Sequence, residues 1–142
     1  IEMPSANQIE IHPWHVVSKL LAEYMDKHEI LPIAYSTLAP IPNWREGSRW
    51  NGKPEDMKSG AMPCEDIANK YEVTVPQLFL KWAIQLGYPV LPKSVKNYRL
   101  KENLSLDHFE ISLDDMNSIS NIAINEQKCL AWSGDFDPLE VD

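Results

Sequence analysis

Three short apolar runs limit what this chain can fold into. They are ANQIEI (6–11), ILPIAYS (30–36) and YPVLP (88–92), and helical spacing follows each, in the second case only after a long irregular stretch. The order strand–helix–strand–helices–strand–helices argues for parallel strands joined by helical crossovers. A parallel sheet needs cover on both faces and partners at its edges. Three strands cannot close such a sheet, and a (β/α)8 barrel needs roughly 200 residues or more. At 142 residues the chain is expected to be the last part of such a barrel. The expected class is α/β, with three parallel strands and flanking helices, and with the N-terminal half on residues outside this chain.

Within the first run, Gln8 and Glu10 alternate with Ile9 and Ile11, which is strand periodicity. Residues 15–28 set Val16, Val17, Leu20, Leu21, Tyr24 and Met25 on one helical stripe. Thr74-Val75-Pro76-Gln77 predicts a capping box with proline in the first turn. The helix it opens places Leu78, Phe79, Trp82, Ala83 and Leu86 on one face and stops at Gly87. A short helix is expected over 97–103. Ser112 caps a last helix running to about Ala123, with Asp114 and Asp115 in its first turn, where the helix dipole favours them. Residues 37–62 form a Pro- and Gly-rich loop of a length that is usually functional or disordered. Residues 124–142 read as an irregular tail.

Composition narrows the partners. Hydrophobic residues make up 44% and charged residues 24%, which is globular composition. The net charge of −8 argues against nucleic acid and anionic membrane surfaces. No apolar run approaches the ~20 residues of a membrane span. Cys64 and Cys129 are the only cysteines, which supports neither a disulfide scaffold nor a metal site and favours a reducing compartment. The cytoplasm is the expected location. The chain opens on Ile1, almost directly in strand-like sequence and with no signal peptide, and is expected to be a fragment.

In an acidic chain an anion site has to be local, and PVLPKSVKNYRLKEN (89–103) has the makings of one. Lys93 offers a point charge, Ser94 a hydroxyl, and Arg99 a planar fork suited to phosphate. A helix N-terminus beside them adds free N–H groups and the positive end of a dipole. In α/β barrels phosphates often sit at the loops after the last two strands. The same run also reads as a solvated loop with incidental cations. Gln8, Glu10 and His12 are inward-capable polar groups that either meet a ligand or satisfy one another in a polar layer. Tyr35 could stack a flat ring or simply pack. Trp44, Arg45 and Trp50 could fold over a ligand or dock on the surface.

Taken together and in order, NQIEIHP, AYSTL, KWAIQLGYPVLPKSV, RLKEN and DHFEIS resemble the C-terminal half of the aldo-keto reductases, a TIM-barrel family. The likeness runs from about Pro4 to Met116, and the tail CLAWSGDFDP looks similar too. The resemblance implies an NADPH-dependent reductase of aldehydes and ketones. It implies that Gln8 bonds the nicotinamide carboxamide, that Tyr35 stacks on the nicotinamide, and that Ser36 and Leu38 line the pyrophosphate. Lys93, Ser94 and Arg99 would surround the 2′-phosphate, with Val95 a further cofactor contact and Glu102 and Asn103 at the adenine. Loop 37–62 would cover the cofactor, and the tail would shape the substrate pocket.

Two departures stand out: Thr37 replaces a customary proline, and Pro40 replaces a serine that helps to hold the pyrophosphate. No stretch matches the family's catalytic tyrosine, lysine, aspartate and histidine. No catalytic residue and no metal ligand is therefore assigned here, and the chain alone is expected to be inactive without the other half of the barrel. A non-catalytic NADP(H)-binding module or auxiliary subunit on the same fold stays open, as does a half-barrel that pairs with itself.

Overall fold

A computed structural model describes residues 2–41 and 64–125. Strand β1 (Ala6–Glu10) is followed by α1 (Lys19–Lys27) and β2 (Leu31–Tyr35). Then come α2 (Glu65–Lys70), α3 (Val75–Gln85), α4 (Asn97–Leu104) and α5 (Leu113–Asn125). The readings on Trp44, Arg45, Trp50 and residues 126–142 lie outside the described residues.

β1 and β2 pair in parallel, with Gln8 opposite Ile33 and Glu10 opposite Tyr35. The expected third strand is reduced to one parallel bridge between Ala34 and Val90. Ala34 N–H donates to the Pro89 carbonyl at 2.8 Å, and Leu91 N–H to the Ala34 carbonyl at 3.2 Å. Upstream the next donors would be residues 32 and 89, both prolines, so the ladder cannot extend toward the start of β2. β1 was expected to alternate between faces. The strand forms, with both faces exposed at its start, and with Ile9 and Glu10, on opposite faces, both buried at its end. The reason is the turn that follows: His12 and His15 bond each other through both backbone pairs, at 3.1 and 2.8 Å, and fold the chain back over the strand end.

That turn also delays α1, whose N-cap is Ser18, its hydroxyl accepting from Leu21 N–H at 3.3 Å. The predicted stripe divides accordingly. Met25 is buried, whereas Leu20 is 81% and Tyr24 49% exposed. Helix α3 is the centre of the packing: Leu78, Phe79, Leu80, Trp82 and Ala83 are fully buried. The Trp14 ring meets Phe79 edge-on at 6.2 Å, and Trp82 Nε1 donates to the Ser120 hydroxyl at 3.0 Å. Leu86, expected on the buried face, is largely exposed. Gly87, at φ +90, ends the helix in a conformation that favours glycine.

Both predicted N-caps form. The Thr74 hydroxyl accepts from Gln77 N–H, while Gln77 Oε1 accepts from Thr74 N–H at 3.1 Å. Ser112 Oγ accepts from Asp115 N–H at 3.3 Å. The Asp115 carboxylate in turn accepts from Lys70 at 2.6 Å, from the Tyr71 hydroxyl and from Ser112 Oγ. Lys70 first, then those hydroxyls, hold its pKa down to about 2, so its contribution persists above the ordinary carboxylate range and is lost toward pH 2. This cluster ties α2 to α5. Helix α5 runs to Asn125, two residues past its expected end.

Replacing Thr74 with alanine should cost about 1 kcal/mol, within the 0.5–2 kcal/mol of lost N-caps, while Thr74→Ser should cost far less. Urea unfolding of both variants tests this, and equal losses would remove the hydroxyl cap from the explanation.

Candidate functional site

Strands that run parallel deliver their C-terminal ends to one rim. Tyr35 and Ser36 leave β2 there, and Lys93 leaves the segment bridged to Ala34. Ser36 sits at φ +55, a left-handed conformation that a non-glycine residue adopts at a cost of roughly 1–2 kcal/mol. Its carbonyl accepts from Ala39 N–H at 2.8 Å, so the chain turns sharply at the strand end.

Two adjoining cavities open at this rim. The inner one, of about 190 Å³, is lined by Tyr35, Ser36, Thr37, Leu38, Pro92 and Lys93, among others. The outer one, of about 330 Å³, takes in Leu38 and Lys93 again with Ser94, Arg99, Glu102 and Asn103. Eight of the ten residues singled out from the sequence therefore meet along one groove. The other two do not: Gln8 is exposed in mid-strand, and Val95 is 88% exposed, with neither lining these cavities.

The groove suits an anion at one end and a flat ring beside it. Helix α4 starts at the N-cap Lys96 with no side-chain cap, so its first-turn N–H groups remain available. Ser94 Oγ accepts from Lys96 N–H at 3.1 Å, which leaves its own proton to donate. Among the described residues no carboxylate forms an ion pair with Lys93 or Arg99. Leu38, Ile41 and Pro76 give the outer cavity an apolar wall. Thr37 is 4% exposed, lines the inner cavity, and has a buried hydroxyl with no hydrogen-bond partner among the described residues. An orphaned polar atom of this kind is rare and costly away from a ligand or water. Together these features fit a phosphate-bearing nucleotide.

Sequence reasoning missed Thr74, Pro76, Ile41 and Tyr98 as walls of the outer cavity. Thr74 and Pro76 were read only as the start of a helix, a local role that hides their second one. Tyr98 stands beside an arginine in a polar helix, and adjacent helical residues usually face apart.

The polar layer on β1 is a separate structure. Trp14 N–H donates to His12 Nδ1 at 3.2 Å, so the ring proton is on Nε2 and donates to Glu10 Oε1 at 2.9 Å. His15 Nδ1–H donates to the Glu10 carbonyl at 2.8 Å. Both histidines and Glu10 are buried, and neither histidine lines the groove. Desolvation lowers the His12 pKa against the opposing pull of Glu10. His12 and Glu10 satisfy each other in this turn, so His12 is not placed as a catalytic base. The Cys64 thiol, pushed up to about 11 by burial, is no nucleophile either. Among the described residues no cluster could hold a metal ion, and no helix is long and apolar enough to cross a membrane.

With its pKa lowered, folded His12 takes up its proton at a lower pH than the unfolded imidazole does, so as pH falls below about 6.5 the unfolded chain gains the proton first. Stability should therefore fall as pH drops from 7 to 5, by at most about 1.4 kcal/mol per unit from this group. His12→Gln, which keeps a donor toward Glu10, should flatten that slope in urea titrations at the two pH values. An unchanged slope would clear His12 of the effect.

Comparison with known proteins gives a consistent answer. Residues 2–124 match the model of the aldo/keto reductase family. Aldose reductase C of Dictyostelium discoideum is 34% identical over 126 residues, a span covering 89% of this chain and 35% of that protein. NADP-dependent D-sorbitol-6-phosphate dehydrogenase of Malus domestica is 36% identical over 124 residues, covering 84% and 36% respectively. Among solved structures, Gox0644 in its apo form superposes with a TM-score of 0.68 at 30% identity, over 90% of this chain and 41% of that one. A mutant of Gox0644 in complex with NADPH gives 0.63 at 31% identity, over 85% of this chain and 39% of that one. The chain thus spans little more than a third of the length of the curated relatives it matches.

Proposed function

Because the chain belongs to the aldo/keto reductase family, we propose that it supplies the NADP(H)-binding groove of a carbonyl reductase. It would correspond to the part of a (β/α)8 barrel from the sixth strand to the C-terminal tail. The convergence of Leu38, Lys93, Ser94, Arg99, Glu102 and Asn103 on one cavity carries this reading. An NADP-dependent relative and a similar structure solved with NADPH support the choice of dinucleotide.

In this reading Lys93, Ser94 and Arg99 hold the 2′-phosphate at the first turn of α4. The apolar wall of Leu38, Ile41 and Pro76 lies beside it, next to Asn103 and Glu102, where an adenine ring would rest. Ser36 and the orphaned Thr37 hydroxyl face the pyrophosphate, and Thr37 would make up for the serine missing at Pro40. Tyr35, at the strand end, offers its ring to the nicotinamide. A bound reduced nicotinamide supplies hydride to a carbonyl carbon. The residues of this chain bind and orient, while proton transfer to the oxygen needs groups from the rest of the barrel. Gln8 is the weakest member of the set, since it stays in mid-strand outside both cavities.

In the full-length protein, Lys93→Met or Arg99→Ala should weaken NADPH binding about ten- to a hundredfold while changing NADH binding little. That is the roughly 1.5–3 kcal/mol of a charge-assisted contact. Fluorescence titration with both nucleotides tests it, and equal losses would count against the 2′-phosphate. Carbonyl-dependent oxidation of NADPH by the same protein separates a reductase from a non-catalytic binding module.

A further inference from the structure

We propose that Tyr98 is a positioning residue that aims Arg99 at the phosphate, a role that rests on the NADP(H) reading above. Neighbours in a helix are set about 100° apart and do not ordinarily meet. Tyr98 and Arg99 do. Arg99 Nε–H donates to the Tyr98 hydroxyl at 3.2 Å, and the guanidinium carbon lies 5.7 Å from the centre of the tyrosine ring. Both side chains line the outer cavity with Lys93 and Ser94.

This contact sets the arginine up for an anion. With Nε–H engaged by the phenol, the two terminal nitrogens and their four N–H groups are left for a doubly bonded grip on phosphate oxygens. A long cationic side chain loses rotamer freedom when it binds. A tether already made in the free protein removes part of that loss beforehand. Glu102 lies one turn further along α4 and lines the same cavity, yet it forms no ion pair with Arg99 among the described residues. The phenol holds the guanidinium without neutralising it, which a carboxylate would do. It also gives a reason for a tyrosine that is 60% exposed on a polar helix. Tyr98 would thereby sharpen discrimination for a phosphorylated ribose without touching the phosphate itself.

The test uses two probes that differ only in that phosphate, 2′-phospho-ADP-ribose and ADP-ribose, titrated calorimetrically into the full-length protein. Tyr98→Phe, which keeps the ring and removes the acceptor, should weaken the phosphorylated probe about three- to tenfold and leave the other unchanged. In an Arg99→Ala background the same change should have no further effect. A Tyr98→Phe protein that binds both probes as before, or a loss that adds in full to that of Arg99→Ala, overturns the positioning role alone. If Arg99→Ala itself binds the phosphorylated probe normally, the phosphate reading falls and the positioning role falls with it.

Discussion

A polar stripe on α3, buried at Gln77 and Lys81 and half-buried at Gln85, holds this structure in register. Gln77, Lys81 and Gln85 recur every fourth residue and face the segment that joins α4 to α5. Gln77 Nε2 donates to the Ser105 carbonyl at 2.8 Å, and Lys81 Nζ to Glu110 Oε1 at 2.9 Å. Gln85 clamps Ile111 in both directions, donating to its carbonyl at 2.9 Å and accepting from its N–H at 2.8 Å. Buried groups such as the Gln77 amide and the Lys81 ammonium cost far more unpaired than they gain paired. A shift of α3 by a single residue would orphan several of them together, so the two helices that wall the outer cavity cannot drift apart cheaply.

The site inherits its shape from that restraint. Ser105, bonded by Gln77, directly follows α4, so the helix bearing Arg99 and Asn103 is anchored at its C-terminal end. Its N-terminal end stays uncapped toward the groove. The same α3 contributes Thr74 and Pro76 to the opposite wall. The third side comes from β2, where Ser36 stands in a left-handed conformation and turns Thr37 and Leu38 into the lining. A chain with a net charge of −8 thus sets Lys93 and Arg99 at one rim, beside the helix end whose dipole adds to their charge.

Legibility differed with the range of each interaction. The Thr74 and Ser112 caps, the stop at Gly87 and the short helix bearing Arg99 could be read because each is settled within a few neighbouring residues. The gathering of Lys93, Ser94 and Arg99 was legible through family likeness and strand-end logic together. Leu20 and Tyr24 were misjudged because helical periodicity marks an apolar stripe without saying how much of it finds a partner. Glu10 and His12 do satisfy one another, as the alternation of polar and apolar residues allowed, because both lie within a few residues of the same turn. The Tyr98 contact had no signal, since it depends on rotamers that adjacent positions do not normally share.

By itself the sequence determined the order of strands and helices, their parallel sense and the family to which they belong, since caps, breakers and periodicity act locally along the chain. Only the tertiary structure decided that Leu38, a residue of the second strand's loop, borders the same cavity as Asn103, and that the Thr37 hydroxyl is buried with no partner among the described residues. Those outcomes depend on how α3 packs between distant segments. Packing is a sum over contacts that no single stretch of sequence contains.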